Sequence, residues 1–193
     1  MKSTSLSTVA RLGPMLCCAV MIALVGGCPN AKAKGGKKMT IQITSSAFTQ
    51  GQPIPKKHSG DGVDVSPPLA WSNLPANTKE LALICDDPDA PNGDWVHWVI
   101  YKIPADAKGL SEGVARNAKL KEPAGALQGK NSWPSTGYRG PMPPPGKVHH
   151  YYFKLYALDA PLQAEPGLEK EALLERIKGH VLGEGELMGT YKK

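Results

Sequence analysis

Asp86-Asp87-Pro88-Asp89-Ala90-Pro91, separated by three residues from Trp95-Val96-His97-Trp98, is the stretch on which the fold turns. The apolar run at 81–85, Leu-Ala-Leu-Ile-Cys, precedes it and reads as a buried strand. The two prolines fix φ and remove two backbone donors, so the chain leaves that strand through a stiff turn carrying Asp87 and Asp89. Residues 96–103 then read as the returning strand of a hairpin. Strand alternation predicts Trp95 and His97 on one face, with Val96 and Trp98 on the other, core face. A carboxylate held on a rigid turn costs stability without a partner, and His97 in the same hairpin is a candidate. A strand histidine alone is more often an ordinary structural residue.

Outward from the hairpin, 18 prolines and 21 glycines punctuate the chain. Between them, residues 41–48, 151–158 and 187–191 read as further strands. Leu168, Ala172, Leu173 and Ile177 recur at helical spacing, and Gly179 supplies a stop, which predicts one helix over 168–177. The expected class is mainly β with minor α. Two long connections, 51–71 and 111–147, are rich in Gly, Pro and Asn yet carry Trp71, Trp133, Tyr138 and Arg139. Long loops of that kind in a compact domain are functional more often than idle, and a disordered linker tends to lack such aromatic groups.

The N-terminal part has a different character. Lys2 and Arg11 precede an almost uncharged stretch, 12–25, that ends in Gly26-Gly27-Cys28. This is the layout of a bacterial export signal, and its apolar run is too short, and too broken by Gly13 and Pro14, for a comfortable membrane span of about 20 residues. Val25-Gly26-Gly27-Cys28 resembles a lipoprotein box, with residues 1–27 removed and Cys28 lipidated; an ordinary cleaved signal is the alternative. Residues 28–38 then form a basic tether. It suits either anionic head groups or a plain flexible spacer. The expected location is outside the cytoplasm, anchored in a membrane, with the outer membrane favoured in a two-membrane host because Pro29 follows Cys28.

Charge excludes one class of partner. Six of the 23 basic residues precede Met39, leaving 17 against 17 acids in residues 39–193. That near-neutral domain does not point to nucleic acid. Cys85 is the one thiol left beyond Cys28, so no disulfide forms within the domain, and its apolar strand marks it as a core residue.

A third segment is Gly137-Tyr138-Arg139-Gly140-Pro141, followed by Met142-Pro143-Pro144-Pro145-Gly146 and His149-His150-Tyr151. Glycines permit close backbone approach and expose N–H groups able to cradle an oxyanion. His149 and Tyr151 share a strand face, and His150 points away from it. Arg139 is either a phosphate fork or a rim residue.

Together these segments resemble the phosphatidylethanolamine-binding proteins, in particular the bacterial Raf-kinase-inhibitor-like branch. The likeness rests on Asp87-Pro-Asp89-Ala-Pro91, Trp95-x-His97-Trp98, Gly137-Tyr138-x-Gly140-Pro141 and His149-x-Tyr151. It is supported by Gly60-Asp61-Gly62, Ser66-Pro67-Pro68-Leu69-Ala70-Trp71 and the closing stretch 180–191. Where the family usually has His-Arg-Tyr, this chain has His149-His150-Tyr151. The resemblance implies a single β-sandwich domain over 39–193 with a small anion pocket at one end, formed by Asp87, Trp95, His97, Gly140, Pro141, His149 and Tyr151.

The same resemblance implies a small anion or a phospholipid head group as ligand, without cofactor or metal and without catalysis. A protein partner is the other reading: an inhibited envelope protease or a phosphorylated protein. Kinase inhibition does not suit an exported chain, because the kinases concerned are cytosolic. A carboxylate beside an anion is repelled by about 4 kcal/mol at 4 Å in an effective dielectric of 20. Asp87 is therefore expected to accept a hydrogen bond from His97 or His149, stabilising an imidazolium that faces the anion. It is also placed to meet an ammonium or a protonated phosphate oxygen.

Overall fold

Residues 81–85 lie at the centre of a six-stranded sheet. The computed structural model describes residues 39–193; the expected leader, Cys28 and the tether over 28–38 lie outside the described residues. The strands are Met39–Thr40 (β1), Gln42–Thr44 (β2), Leu69–Ser72 (β3), Glu80–Asp87 (β4), Trp95–Pro104 (β5), Gly109–Leu110 (β6), Leu127–Gln128 (β7), His149–Leu158 (β8) and Val181–Tyr191 (β9). One helix, Lys170–Ile177 (α1), and a 3-10 turn, Lys56–His58, complete the described elements. The large sheet runs β1-β9-β8-β4-β5-β7, and the small one β2-β3-β6. Among the named strands of the described residues, only β1 against β9 is a parallel pairing.

Both faces of the large sheet are covered. Leu81, Leu83, Trp98, Ile100, Phe153 and Leu155 pack against Ile43, Leu69, Trp71 and Leu110 of the small sheet. On the opposite face Ala82, Ile84, Val99 and Tyr101 meet Leu162 and the buried side of α1, Leu173 and Ile177. Each of those helix side chains contributes about 1.5–3 kcal/mol by leaving water. A strand covered on both faces has no reason to alternate, which is why 81–85 is uniformly apolar. The result is the mainly β sandwich expected from the sequence, in one domain.

Four details depart from the sequence reading. The expected strand 41–48 is reduced to β2, with β1 just before it in the other sheet, and it ends at Thr44, where the Ser45 hydroxyl bonds the Pro68 carbonyl and receives the Ala47 N–H. The last strand begins at Val181 rather than 187. Its glycines let β1 approach: a Cβ on Gly185 would lie 2.2 Å from the Ile41 carbonyl oxygen. The helix starts two residues later than spacing predicts, because Glu169 is extended and the Leu168 carbonyl accepts the Lys130 N–H instead of an intrahelical one.

The fourth departure shapes the site. In the β4–β5 ladder Cys85 pairs with Trp98 and Asp86 with Val96, so His97 is an extra residue with no partner opposite. This β-bulge overturns the expected alternation: Val96 belongs to the helix-side core and Trp98 to the core between the sheets. The His97 ring packs on Tyr151 of that inter-sheet core, centroids 5.1 Å apart. Bulges re-aim side chains in this way beside functional sites.

Candidate functional site

The end of β4 and the starts of β5 and β8 meet at one end of the large sheet, with Asp87 opposite Trp95 and Asp86 opposite Tyr152. There the structure brings Asp87, Trp95, His97, His149 and Tyr151 around one cavity of about 300 Å³. Ala90, Pro91 and Asn92 of the aspartate turn, with Trp133, Met142, Pro143 and Pro144, complete its wall. Asp87, His97, His149 and Tyr151 are all buried.

The aspartate turn divides its labour by strand geometry. Asp87 Oδ1 accepts the Asp89 N–H at 2.9 Å, closing the turn, and Oδ2 lies 2.8 Å from His149 Nδ1. Of the two histidines considered as its partner, the structure selects His149. Asp89 Oδ2 accepts from the His150 N–H and ring, and the His150 side chain holds the Asp89 carboxyl below its usual range. His150 thus points away from the cavity, as alternation predicts. Asp86 turns to the opposite face, where Lys154 and Lys170 reach its fully buried carboxylate at 2.8 and 2.5 Å.

His97 is held differently. Its Nδ1 sits 2.6 Å from the Arg139 carbonyl oxygen, and the Arg139 N–H returns a bond to the His97 carbonyl. A carbonyl only accepts, so Nδ1 carries the proton and Nε2 serves the cavity. Burial lowers the His97 imidazole below its ordinary value, partly offset by that carbonyl. Its ring lies edge-on between Trp133 and Tyr151. The Tyr151 hydroxyl is buried with no hydrogen-bond partner among the described residues, and burial, followed by the Asp87 charge, raises the phenol far above its usual value.

The glycine segment takes another role than the one expected. Gly140 and Pro141 do not line the cavity. The Gly140 N–H donates to Asp64 Oδ1 at 2.7 Å, the Pro141 carbonyl accepts the Gly60 N–H, and a Cβ on Gly140 would lie 2.1 Å from the His58 carbonyl oxygen. Its glycine permits close packing against the 58–60 loop, and its amide is already engaged. Arg139 stacks its guanidinium 4.9 Å over Trp133, behind the wall that this ring provides. It is absent from the cavity lining, a position that fits the rim alternative.

Trp133, Asn92, Met142, Pro143 and Pro144 joined the wall without being named for it from sequence. Trp133 did carry a signal, as an aromatic group in a long loop. Among the described residues no three of His, Cys, Asp and Glu come together in a group able to hold a metal ion.

A two-sheet sandwich with this cavity at the end of its large sheet defines a class. The phosphatidylethanolamine-binding protein family matches residues 44–192, and the chain belongs to that family. A UPF0098 protein of Methanothermobacter thermautotrophicus is 50% identical over 153 residues, which cover 79% of this chain and 99% of that protein. A crystal structure of a phosphatidylethanolamine-binding protein homologue from Chlamydia trachomatis superposes with a TM-score of 0.72 at 45% identity, covering 80% of this chain and 98% of its own. E. coli YbcL, described as a new member of the mammalian family, gives 0.74 at 31% identity over 79% and 98%.

Proposed function

We propose that the cavity binds phosphate-type anions or phosphorylated head groups, without catalysis. One observation carries this reading: four buried polar side chains, Asp87, His97, His149 and Tyr151, converge on a cavity of about 300 Å³, a size suited to a small ligand. The Asp87–His149 pair supports it, because a carboxylate that holds a histidine can stabilise the imidazolium facing an anion. The Tyr151 phenol is pushed far from ionisation, and the Cys85 thiol is buried and raised.

The export signal and Cys28 place this binding function, in our reading, on a lipid-anchored protein outside the cytoplasm. Mass spectrometry of protein purified from its own host, expected to find an acylated Cys28, tests that part. Calorimetric titration with phosphate over roughly pH 5 to pH 8 tests the site: affinity is expected to rise as pH falls through the histidine range. An affinity that is flat with pH, or the absence of binding, refutes it.

A further inference from the structure

The hydrogen-bond state of the cavity's buried side chains specifies which anions fit. This step rests on the anion-site reading above. Among the four, His97 Nδ1 is committed to the Arg139 carbonyl and His149 Nδ1 to the Asp87 carboxylate. With both rings neutral, their Nε2 atoms offer lone pairs. Asp87 is an acceptor as well, already holding the Asp89 N–H. The Tyr151 hydroxyl, buried beside the Asp87 carboxylate but without a well-formed hydrogen bond, and firmly protonated, is the single donor of the set. The glycine segment adds none, because the Gly140 and Arg139 amides bond Asp64 and His97. At the half-buried and exposed rim, the Trp95 indole and the Asn92 amide remain.

Beside neutral rings, an anion without a proton would therefore meet one buried donor and three buried acceptors. Charges near His97 come from Asp87 on β4 and from Asp64 in the loop before β3, while the Arg139 guanidinium lies over Trp133. The balance is repaired by a proton, placed either on an imidazole Nε2 or on the ligand. Inorganic phosphate retains a P–OH even as its dianion, and a phosphomonoester regains one near its second pKa of about 6. Sulfate and phosphodiesters carry no proton in this range.

We infer that the cavity is a proton-coupled site selective for inorganic phosphate and phosphomonoesters, with the ligand P–OH or a captured proton bridging to His97 Nε2 or His149 Nε2 and Tyr151 donating to a second ligand oxygen. Intact phospholipids, being diesters, are poor ligands; a freed phosphorylated head group is a good one.

Isothermal titration of the folded domain with inorganic phosphate, O-phosphoethanolamine, dimethyl phosphate and sulfate, at pH 7 and pH 8 in buffers of different ionisation enthalpy, tests this. Phosphate and O-phosphoethanolamine are expected to bind at least about tenfold tighter than sulfate and dimethyl phosphate. The buffer dependence at pH 8 should report uptake approaching about one proton per O-phosphoethanolamine, whose dianion lacks a P–OH, and clearly less for inorganic phosphate, which brings its own. Tyr151→Phe should weaken phosphate about tenfold while preserving fold and proton uptake. Comparable affinities across the four ligands, or O-phosphoethanolamine binding without proton uptake at pH 8, overturn the inference and leave the anion site standing. Failure of all four to bind overturns the anion site itself.

Discussion

His149 Nδ1 lies 2.8 Å from Asp87 Oδ2, with only 6% and 4% of the two side chains exposed. The pair ties the end of β4 to the start of β8 across 62 residues of sequence. Removing Asp87 leaves the buried His149 Nδ1 and the Asp89 N–H without their acceptor, at about 1–3 kcal/mol for each such group. Asp87→Ala is therefore expected to lose about 3 kcal/mol of unfolding free energy. Urea unfolding of wild type and variant checks it; a difference within about 0.5 kcal/mol, the range of ordinary surface changes, denies the tie.

His97 makes stability depend on pH. Its folded pKa is lowered by burial, so the unfolded chain takes up the proton first as pH falls below about 6.5. Protons bound by the unfolded state exceed those of the folded state in that window, and stability drops with falling pH. Phosphate, which favours the imidazolium, should offset that drop and raise the Tm more at pH 6 than at pH 8. Thermal scans with and without phosphate, repeated on His97→Phe, check this; the variant should show a flatter pH slope from pH 8 to pH 5.5. An unchanged slope assigns the effect elsewhere.

The two strands of the hairpin, the paired faces of β8 and five of the cavity's side chains were legible because each rests on a strong local rule. Apolar runs mark strands, alternation marks faces, and prolines stiffen the turn that carries Asp87. The bulge at His97 was not legible. Val96, His97 and Trp98 are all acceptable in a regular strand, and only the register against Asp86 and Cys85 inserts the extra residue. The same limit hid the division of β1 and β2 between two sheets. For Gly140, composition indicated close backbone approach correctly but not its object, since His58 and Asp64 come from a loop some eighty residues earlier in the chain.

Gly140 should tolerate no side chain. A Cβ there would meet the His58 carbonyl oxygen at 2.1 Å and the Ser59 Cα at 2.8 Å, both backbone atoms that cannot rotate away. Forced overpacking of this kind costs about 1–3 kcal/mol, and Gly140→Ala is expected at the upper end. The shift would also move Met142 of the cavity wall, so phosphate affinity should fall with stability. Denaturant midpoints and titrations on the same preparation check both; a stable variant with full affinity contradicts the packing account.

On the opposite face, Lys170 anchors α1 to the sheet through Asp86 and Asp94. Burial opposes the Lys170 charge, yet the hydrogen bonds it donates to the two carboxylates outweigh it and raise the ammonium above its usual value. The Asp86 carboxylate is fully buried, and Lys154 is its other partner. Lys170→Met therefore leaves Asp86 half-compensated, at a cost of about 2–3 kcal/mol, below the full loss for an unpaired buried charge. Asp86→Asn in the same background removes the charge left behind, so the double variant should recover part of the loss, with a coupling of about 1–3 kcal/mol. A double-mutant cycle by urea unfolding measures that coupling, and strictly additive losses exclude it. Phosphate affinity should stay within about twofold in all three variants, since Asp86 and Lys170 are absent from the cavity lining.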